Sequence, residues 1–289
     1  MSDASITPTP KLWRLTLARA LKRPTILVPG LILLVMVLGA VFAPVIAPNP
    51  SGLDAMNRMQ PPSAVDIFGT DQFGRSVFER TLHGGRVSLF VGCVVAIFVT
   101  VIGVSIGLVS GFVQKLDPYI MRVMDAIMSI PTILLAIAFM AIFGAGVTNA
   151  IIAIILPEVP RMARVSRGVT LSIRERPYIE AAITNGARPF RLLWRHVLPV
   201  IVAPVLVQAT YVFASAVLTE AILSFLGAGA PPEIPSWGNI ISEGRTLFQV
   251  APWVIIAPGI CLSLLVLSVN TLGDGMRDLL DPKLKRQTQ

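Results

Sequence analysis

Few side chains in this 289-residue sequence could do covalent chemistry. The two histidines, His83 and His196, lie far apart, with no Cys or His at ligand spacing from either, so no zinc site is expected. None of the five lysines follows a glycine, and a phosphate-cradling loop needs Gly-Lys followed by Ser or Thr. The chain is therefore not its own ATPase of that type. Cys93 and Cys261 both sit inside apolar runs and read as small packing residues rather than a disulfide framework. Two carboxylates, Glu158 and Glu220, also fall within apolar stretches. Glu158 stands between Pro157 and Pro160 with Arg161 at i+3, and two readings apply: a functional charge such as a proton relay, or a local ion pair in a proline-loosened helix. Glu220 reads as a gate or docking contact, or as a solvated helix end.

The elements that carry these residues follow from composition. Hydrophobic residues make up 54% and charged residues 14%, against about 25% charged in an average soluble protein. The mean hydropathy is +0.75. Long uncharged runs at 26–47, 87–113, 126–157, 197–219 and 246–273 each reach the ~20 residues that cross a hydrocarbon core. The run at 126–157 is too long for one helix and breaks at Gly144-Ala145-Gly146. Six spans are expected: 26–47, 87–113, 125–143, 147–166, 198–226 and 250–273. The basic stretch before the first run resembles a signal peptide, but the 22-residue run exceeds a cleavable core, so an uncleaved first helix is expected.

Net charge is +8, and the basic residues flank apolar runs, so they read as topology determinants and no nucleic-acid partner is expected. With the N-terminus in the cytoplasm, 19 of the 24 Lys and Arg fall on inner segments. Both termini are then cytoplasmic, 48–86 and 227–250 face outward, and 167–197 faces inward. The organisation is a tail at 1–25, a first helix and outer loop at 26–86, a five-helix core at 87–275 containing an inner loop at 175–199, and a tail at 276–289.

The inner loop is the most informative segment. Pro177 suits the first turn of one short helix and Gly186 its C-terminal cap; Pro189 opens a second, and Pro199 is expected to limit it. Glu180 falls near the first helix's N-terminus, where the dipole favours a carboxylate. Ala181, Ala182 and Gly186 are small enough for a partner to approach. Phe190, Leu193 and Val197 form an apolar stripe on the second helix. Either the membrane surface, anchored by Arg188, Arg191 and Arg195, or another protein covers these helices.

Glu180-Ala181-Ala182, Gly186, His196, Leu198 and Pro199 together resemble the EAA loop of permease subunits of bacterial binding-protein-dependent ABC importers, with His196 where Ile is usual. Further stretches resemble the C-type subunit of the dipeptide/oligopeptide permease subfamily. They are Gly69-Thr-Asp71-Gln-Phe-Gly-Arg75 (with Ser76 where Asp is usual), Asp117 to Asp125 with Pro131, Glu220 to Gly227, Ser236-Trp237-Gly238, and Asn270 to Pro282.

The resemblance implies an all-α membrane protein with the ABC importer permease fold, in the bacterial cytoplasmic (inner) membrane. It implies that Glu180, Ala181, Ala182, Gly186, His196, Leu198 and Pro199 couple to an ATPase. Glu220, Gly69, Asp71, Arg75 and Trp237 become candidate gate or binding-protein contacts. The implied partners are a homologous second permease subunit, two cytoplasmic ATPase subunits and an extracytoplasmic solute-binding protein, besides the lipid bilayer. No cofactor is expected on this chain, ATP and Mg being used by the ATPase subunits. The expected role is half of a pore for peptides or peptide-like solutes, working by alternating access. Dipeptides, longer peptides, nickel chelates, glutathione and opine-like compounds all remain open as solutes. The rival class is a stand-alone proton-coupled transporter.

Overall fold

The computed structural model describes residues 23–280. Every regular element among them is helical: α1 (Pro24–Ile46), α2 (Val77–Phe112), α3 (Asp117–Met128), α4 (Thr132–Phe143), α5 (Val147–Arg174), α6 (Pro177–Thr184), α7 (Pro189–Leu192), α8 (Leu198–Phe225), α9 (Trp237–Gly244) and α10 (Trp253–Leu280). A single isolated bridge joins Thr70 and Ser76 among these residues. Most of the expected tails at 1–25 and 276–289 lies outside the described residues.

Four helices are long and apolar enough to cross a membrane: Pro24–Ile46, Val77–Phe112, Leu193–Phe225 and Trp253–Leu279. The pair α3 and α4 makes a fifth if the two count as one broken span, for they meet at 82°. This corrects the expectation of one continuous helix over 125–143. Pro131 precedes α4, and a proline lacks the amide N–H that would carry α3 onward. It also disfavours helical dihedrals at Ile130 before it. Helix α5 is 28 residues long, but Glu158, Arg161 and Arg164 interrupt its apolar character. Gly144, at φ +86°, ends α4 just before α5 begins, as the glycine pair there predicts.

Helix α2 starts ten residues before the expected 87, with Ser76 at its N-cap, and runs on through Gly84-Gly85, whose missing Cβ atoms admit Trp237. Its packing is set by small residues. Helix α2 pairs most extensively with α5. The contact runs along Gly103, Gly107 and Gly111, where added Cβ atoms would lie 2.6 Å from the Met162 Cβ, 2.5 Å from the Ala163 carbonyl oxygen and 2.7 Å from the Thr170 Cβ. Glycine every four residues lets two helix backbones approach closely, and in a bilayer such contacts take over from the hydrophobic effect. Gly92 serves the same purpose against Val217 of α8. Helix α1 lies against α2 and α10 and leaves Leu31, Val35, Val41 and Val45 exposed.

Candidate functional site

At the end of the molecule where α2 starts, the 69–75 motif folds into a closed turn. Gly69 and Gly74 have φ of +72° and +76°, which L side chains rarely adopt. A Cβ at Gly74 would overlap the Asp54 carbonyl at 1.8 Å. The buried Asp71 carboxylate accepts hydrogen bonds from the backbone N–H of Phe73 (2.8 Å) and Arg75 (3.0 Å), holding the turn from inside. Thr70 donates its hydroxyl to the Asn57 carbonyl (2.5 Å), and its own carbonyl accepts from Trp253 Nε1 (3.0 Å). Nearby, Asp54 accepts from the Asn57 side chain and the Met56 N–H, which hold its pKa below the usual carboxylate value.

Asp71 also anchors a four-residue charge cluster. Its Oδ2 lies 2.6 Å from Arg75 Nε and 2.9 Å from an Arg80 terminal nitrogen. Arg80, only 2% exposed, forks onto Glu243 of α9 at 2.7 and 2.9 Å, and Arg75 reaches the same carboxylate at 2.5 Å. Two cations and two anions thus tie the motif, the start of α2 and α9 together. Bidentate pairing of this kind fixes both distance and orientation. Sequence reasoning found Asp71 and Arg75 but missed Arg80 and Glu243. The available signal was an arginine and an outer-loop carboxylate with no other assigned role.

Trp237 is buried, not displayed. Its Nε1 donates to the Thr81 carbonyl (2.9 Å), and its ring fills the space left by Gly84 and Gly85. Ser236 caps α9 by accepting from the Asn239 N–H. Glu220, 1% exposed, lies between α2 and α8, where it accepts from Ser88 (3.1 Å) and Ser224 (2.7 Å). It is therefore not a solvated helix end. Glu158 is equally buried; it pairs with Arg161 at 3.3 Å, as the local reading has it, and also accepts from Ser215 of α8 at 2.8 Å.

At the other end, α6 closes on Gly186. That residue has φ +76°, and the Ala187 N–H bonds back to the Ala182 carbonyl at 3.0 Å, the hydrogen bond of a glycine-terminated helix. A Cβ on Gly186 would meet nothing within 4 Å in this chain, so its requirement here is conformational. Pro199 does not stop the second helix as expected. Helix α7 passes through a π-turn, Leu193–Val197, directly into α8, with Pro199 in the first turn of α8, where its missing N–H is tolerated.

Ile179, Leu192 and Val197 are buried against the core, whereas Glu180, Ala181 and Gly186 are exposed. Ala182, His196 and Leu198 are half-buried, and Pro199 is exposed. The His196 ring faces Tyr178 at 6.3 Å between centroids, joining α6 to the π-turn. Among the described residues, no group of three His, Cys, Asp or Glu is arranged to hold a metal.

The helix arrangement is that of a membrane-embedded transporter subunit. It superposes on a chain from the inward-facing MetNI methionine ABC transporter with a TM-score of 0.58 at 22% identity, covering 70% of this chain and 96% of that one. The family described as binding-protein-dependent transport system inner membrane component matches residues 87–286, and the N-terminal TM domain of oligopeptide transport permease C matches 11–62. The chain belongs to this family of inner membrane transport components. It is 49% identical to a probable peptide ABC transporter permease protein of Sinorhizobium fredii, over 96% of both chains. It is 41% identical to the dipeptide transport system permease protein DppC of Alkalihalophilus pseudofirmus, over 92% of this chain and 89% of that one. To the oligopeptide transport system permease protein OppC of Bacillus subtilis it is 35% identical, over 95% and 91%.

Proposed function

We propose that this chain is one of two permease halves of an ATP-driven importer for peptides or peptide-like solutes, with six spans and both termini in the cytoplasm. In this reading, ATP with Mg is hydrolysed on two cytoplasmic ATPase subunits, and a solute-binding protein delivers the cargo from outside. A homologous permease subunit completes the pore. ATP-driven closure of the ATPases moves the inner loop, and the spans alternate between inward-open and outward-open states. Net movement follows from the solute's different affinities in the two states. The printed names of the relatives support peptides as cargo.

One observation carries the coupling assignment. The inner loop buries Ile179, Leu192 and Val197 and turns Glu180, Ala181 and Gly186 outward, with Tyr178 and Trp194 also exposed. That is the geometry of a knob for a second protein. At the outer corner, Asp71, Arg80 and Trp237 are buried. Docking of a binding protein there would use the loop's shape, with these residues as its internal brace. The rival, a stand-alone proton carrier, has little support, since Glu158 is held by Arg161 and Ser215.

Gly186→Val is expected to abolish coupling while leaving insertion intact. The left-handed backbone there disfavours a β-branched residue by about 1 kcal/mol or more. Glu180→Lys is expected to weaken coupling, placing a cation at a helix N-terminus. ATPase co-purification and solute uptake at matched membrane abundance measure both; wild-type coupling in the two variants would remove the docking assignment. Topology is checked by thiol labelling in intact cells. Cysteines at the exposed positions Ser51 and Ser63 are expected to react with an impermeant reagent, and one at Ser172 is not. Labelling at Ser172 would invert the orientation. Ser236 is unsuitable for this purpose because it is buried as the α9 cap.

A further inference from the structure

The middle of α5 and α8 and their ends nearer the inner loop carry polar residues where a lipid-facing helix would not. On α8, Pro204, Gln208, Tyr211 and Ser215 recur at spacings of four, three and four, forming one stripe. On α5, Val165 and Val169 line the same groove, and the buried Glu158 is joined to the α8 stripe by the Ser215–Glu158 hydrogen bond of 2.8 Å. Arg161 is 48% exposed on α5, five residues inside the inner end of the expected span 147–166, about 8 Å at 1.5 Å per residue. A charged side chain there turns to the inner surface or to a water-filled cavity rather than to acyl chains. The outward faces of α1 and α2 differ: Leu31, Val35, Ile97, Phe98 and Val101 are exposed and all apolar.

The stripe opens into a cavity of about 650 Å³ between α5, α8 and α10. Val165, Val169, Pro204 and Val207 form apolar walls, and Gln208, Tyr211, Arg176 and Arg277 supply the polar groups. Among the described residues, the carboxylate bonded to this lining is Asp274, which accepts from the Tyr211 hydroxyl. Arg176 and Arg277 make no ion pair or side-chain hydrogen bond with the described residues. Two guanidinium groups with no carboxylate partner among the described residues, beside an apolar wall, suit an anionic group attached to an apolar body.

We infer that this lane is the solute-facing wall of the inner half of the pathway, and that Arg176 and Arg277 receive the carboxylate of a short peptide there. The inference rests on the proposed importer function and adds a solute site to it. The fork geometry of arginine matches a carboxylate, and the apolar walls accept the peptide's side chains. The site is reached from the cytoplasmic side, so it holds solute after the pathway has opened inward.

The test uses the assembled importer in inverted vesicles, with Cys93→Ala and Cys261→Ala, carrying Gln208→Cys. Sulfonate and ammonium methanethiosulfonates are added from the cytoplasmic side, and their rates are normalised to those with free mercaptoethanol. The sulfonate reagent is expected to be favoured about tenfold, as a cleft of one charge sign concentrates counter-ions. Trialanine is expected to slow the reaction more than trialanine amide. Arg277→Gln and Arg176→Gln should each reduce the charge preference, and Arg277→Lys should restore part of it. Absence of labelling by either reagent would overturn the inference, and so would labelling with no charge preference. Equal protection by trialanine and its amide, or protection by phosphatidylglycerol in place of peptide, would also overturn it. ATP-driven trialanine uptake by the Gln208-containing complex is measured alongside. Its absence would count against the importer reading itself, whereas intact uptake with no labelling removes only the site.

Discussion

Arg80→Met is expected to destabilise the protein by about 3–5 kcal/mol, because it strips the shared cation from two carboxylates that stay in place. Asp71 is as buried as Arg80, and Glu243 loses a two-pronged partner, so neither anion can recover full hydration without opening the corner. Arg75 stays bonded to both carboxylates but leaves one negative charge uncompensated. Thermal unfolding of the detergent-solubilised complex measures the loss. Combining Arg80→Met with Glu243→Met is expected to recover much of it, since removing a whole buried pair costs less than orphaning one member. A single-variant cost below about 1 kcal/mol, the range of exposed pairs, would show that the corner is not closed in solution.

Gly107→Val is expected to prevent α2 and α5 from packing, with membrane abundance falling to a small fraction of the parent. The added Cβ would lie 2.5 Å from the Ala163 carbonyl oxygen and from the Ser166 Cβ, and 2.8 Å from the Arg167 nitrogen. Two of these three atoms are backbone, so no side-chain rotation relieves the overlap. Overpacking of this kind costs about 1–3 kcal/mol where the surroundings can shift, and more where they cannot. Gly168→Val is the control: it lies on α5, and a Cβ there meets nothing within 4 Å. Abundance is read by immunoblot of membranes. Equal abundance of the two variants would remove the close-contact account of the glycine series.

The period of that series was available in the sequence, since Gly103, Gly107 and Gly111 stand four apart in an apolar run. Hydropathy does not show it, because a glycine in a helix–helix contact and one facing lipid contribute alike to an apolar run. The inner loop was more legible. Gly186 takes the left-handed conformation expected of a C-terminal cap, and the neighbouring prolines mark helix starts, because both signals are local dihedral constraints. Pro199, expected to limit the second helix, stands instead in the first turn of α8. Whether a proline ends a helix or sits harmlessly in a first turn depends on the hydrogen bonds around it, and the π-turn upstream reset them.

The sequence by itself determined that the chain is membrane-embedded and helical, where α1, α6 and α8 lie, and which family it belongs to. These properties are carried by hydropathy over ~20-residue windows and by short-range spacing. The tertiary structure decided which polar side chains meet. Glu243 is 163 positions from Arg80, and Glu220 is 132 from Ser88, so neither partner could be read from local pattern. It also decided which motif residues are displayed and which are buried. Asp71 and Trp237 had the composition of an exposed recognition loop, but the corner folds inward around them. The reason is physical: a carboxylate or an indole in a loop is satisfied equally by water or by a distant guanidinium or carbonyl, and only the packing of α2, α9 and α10 around the loop excludes the water.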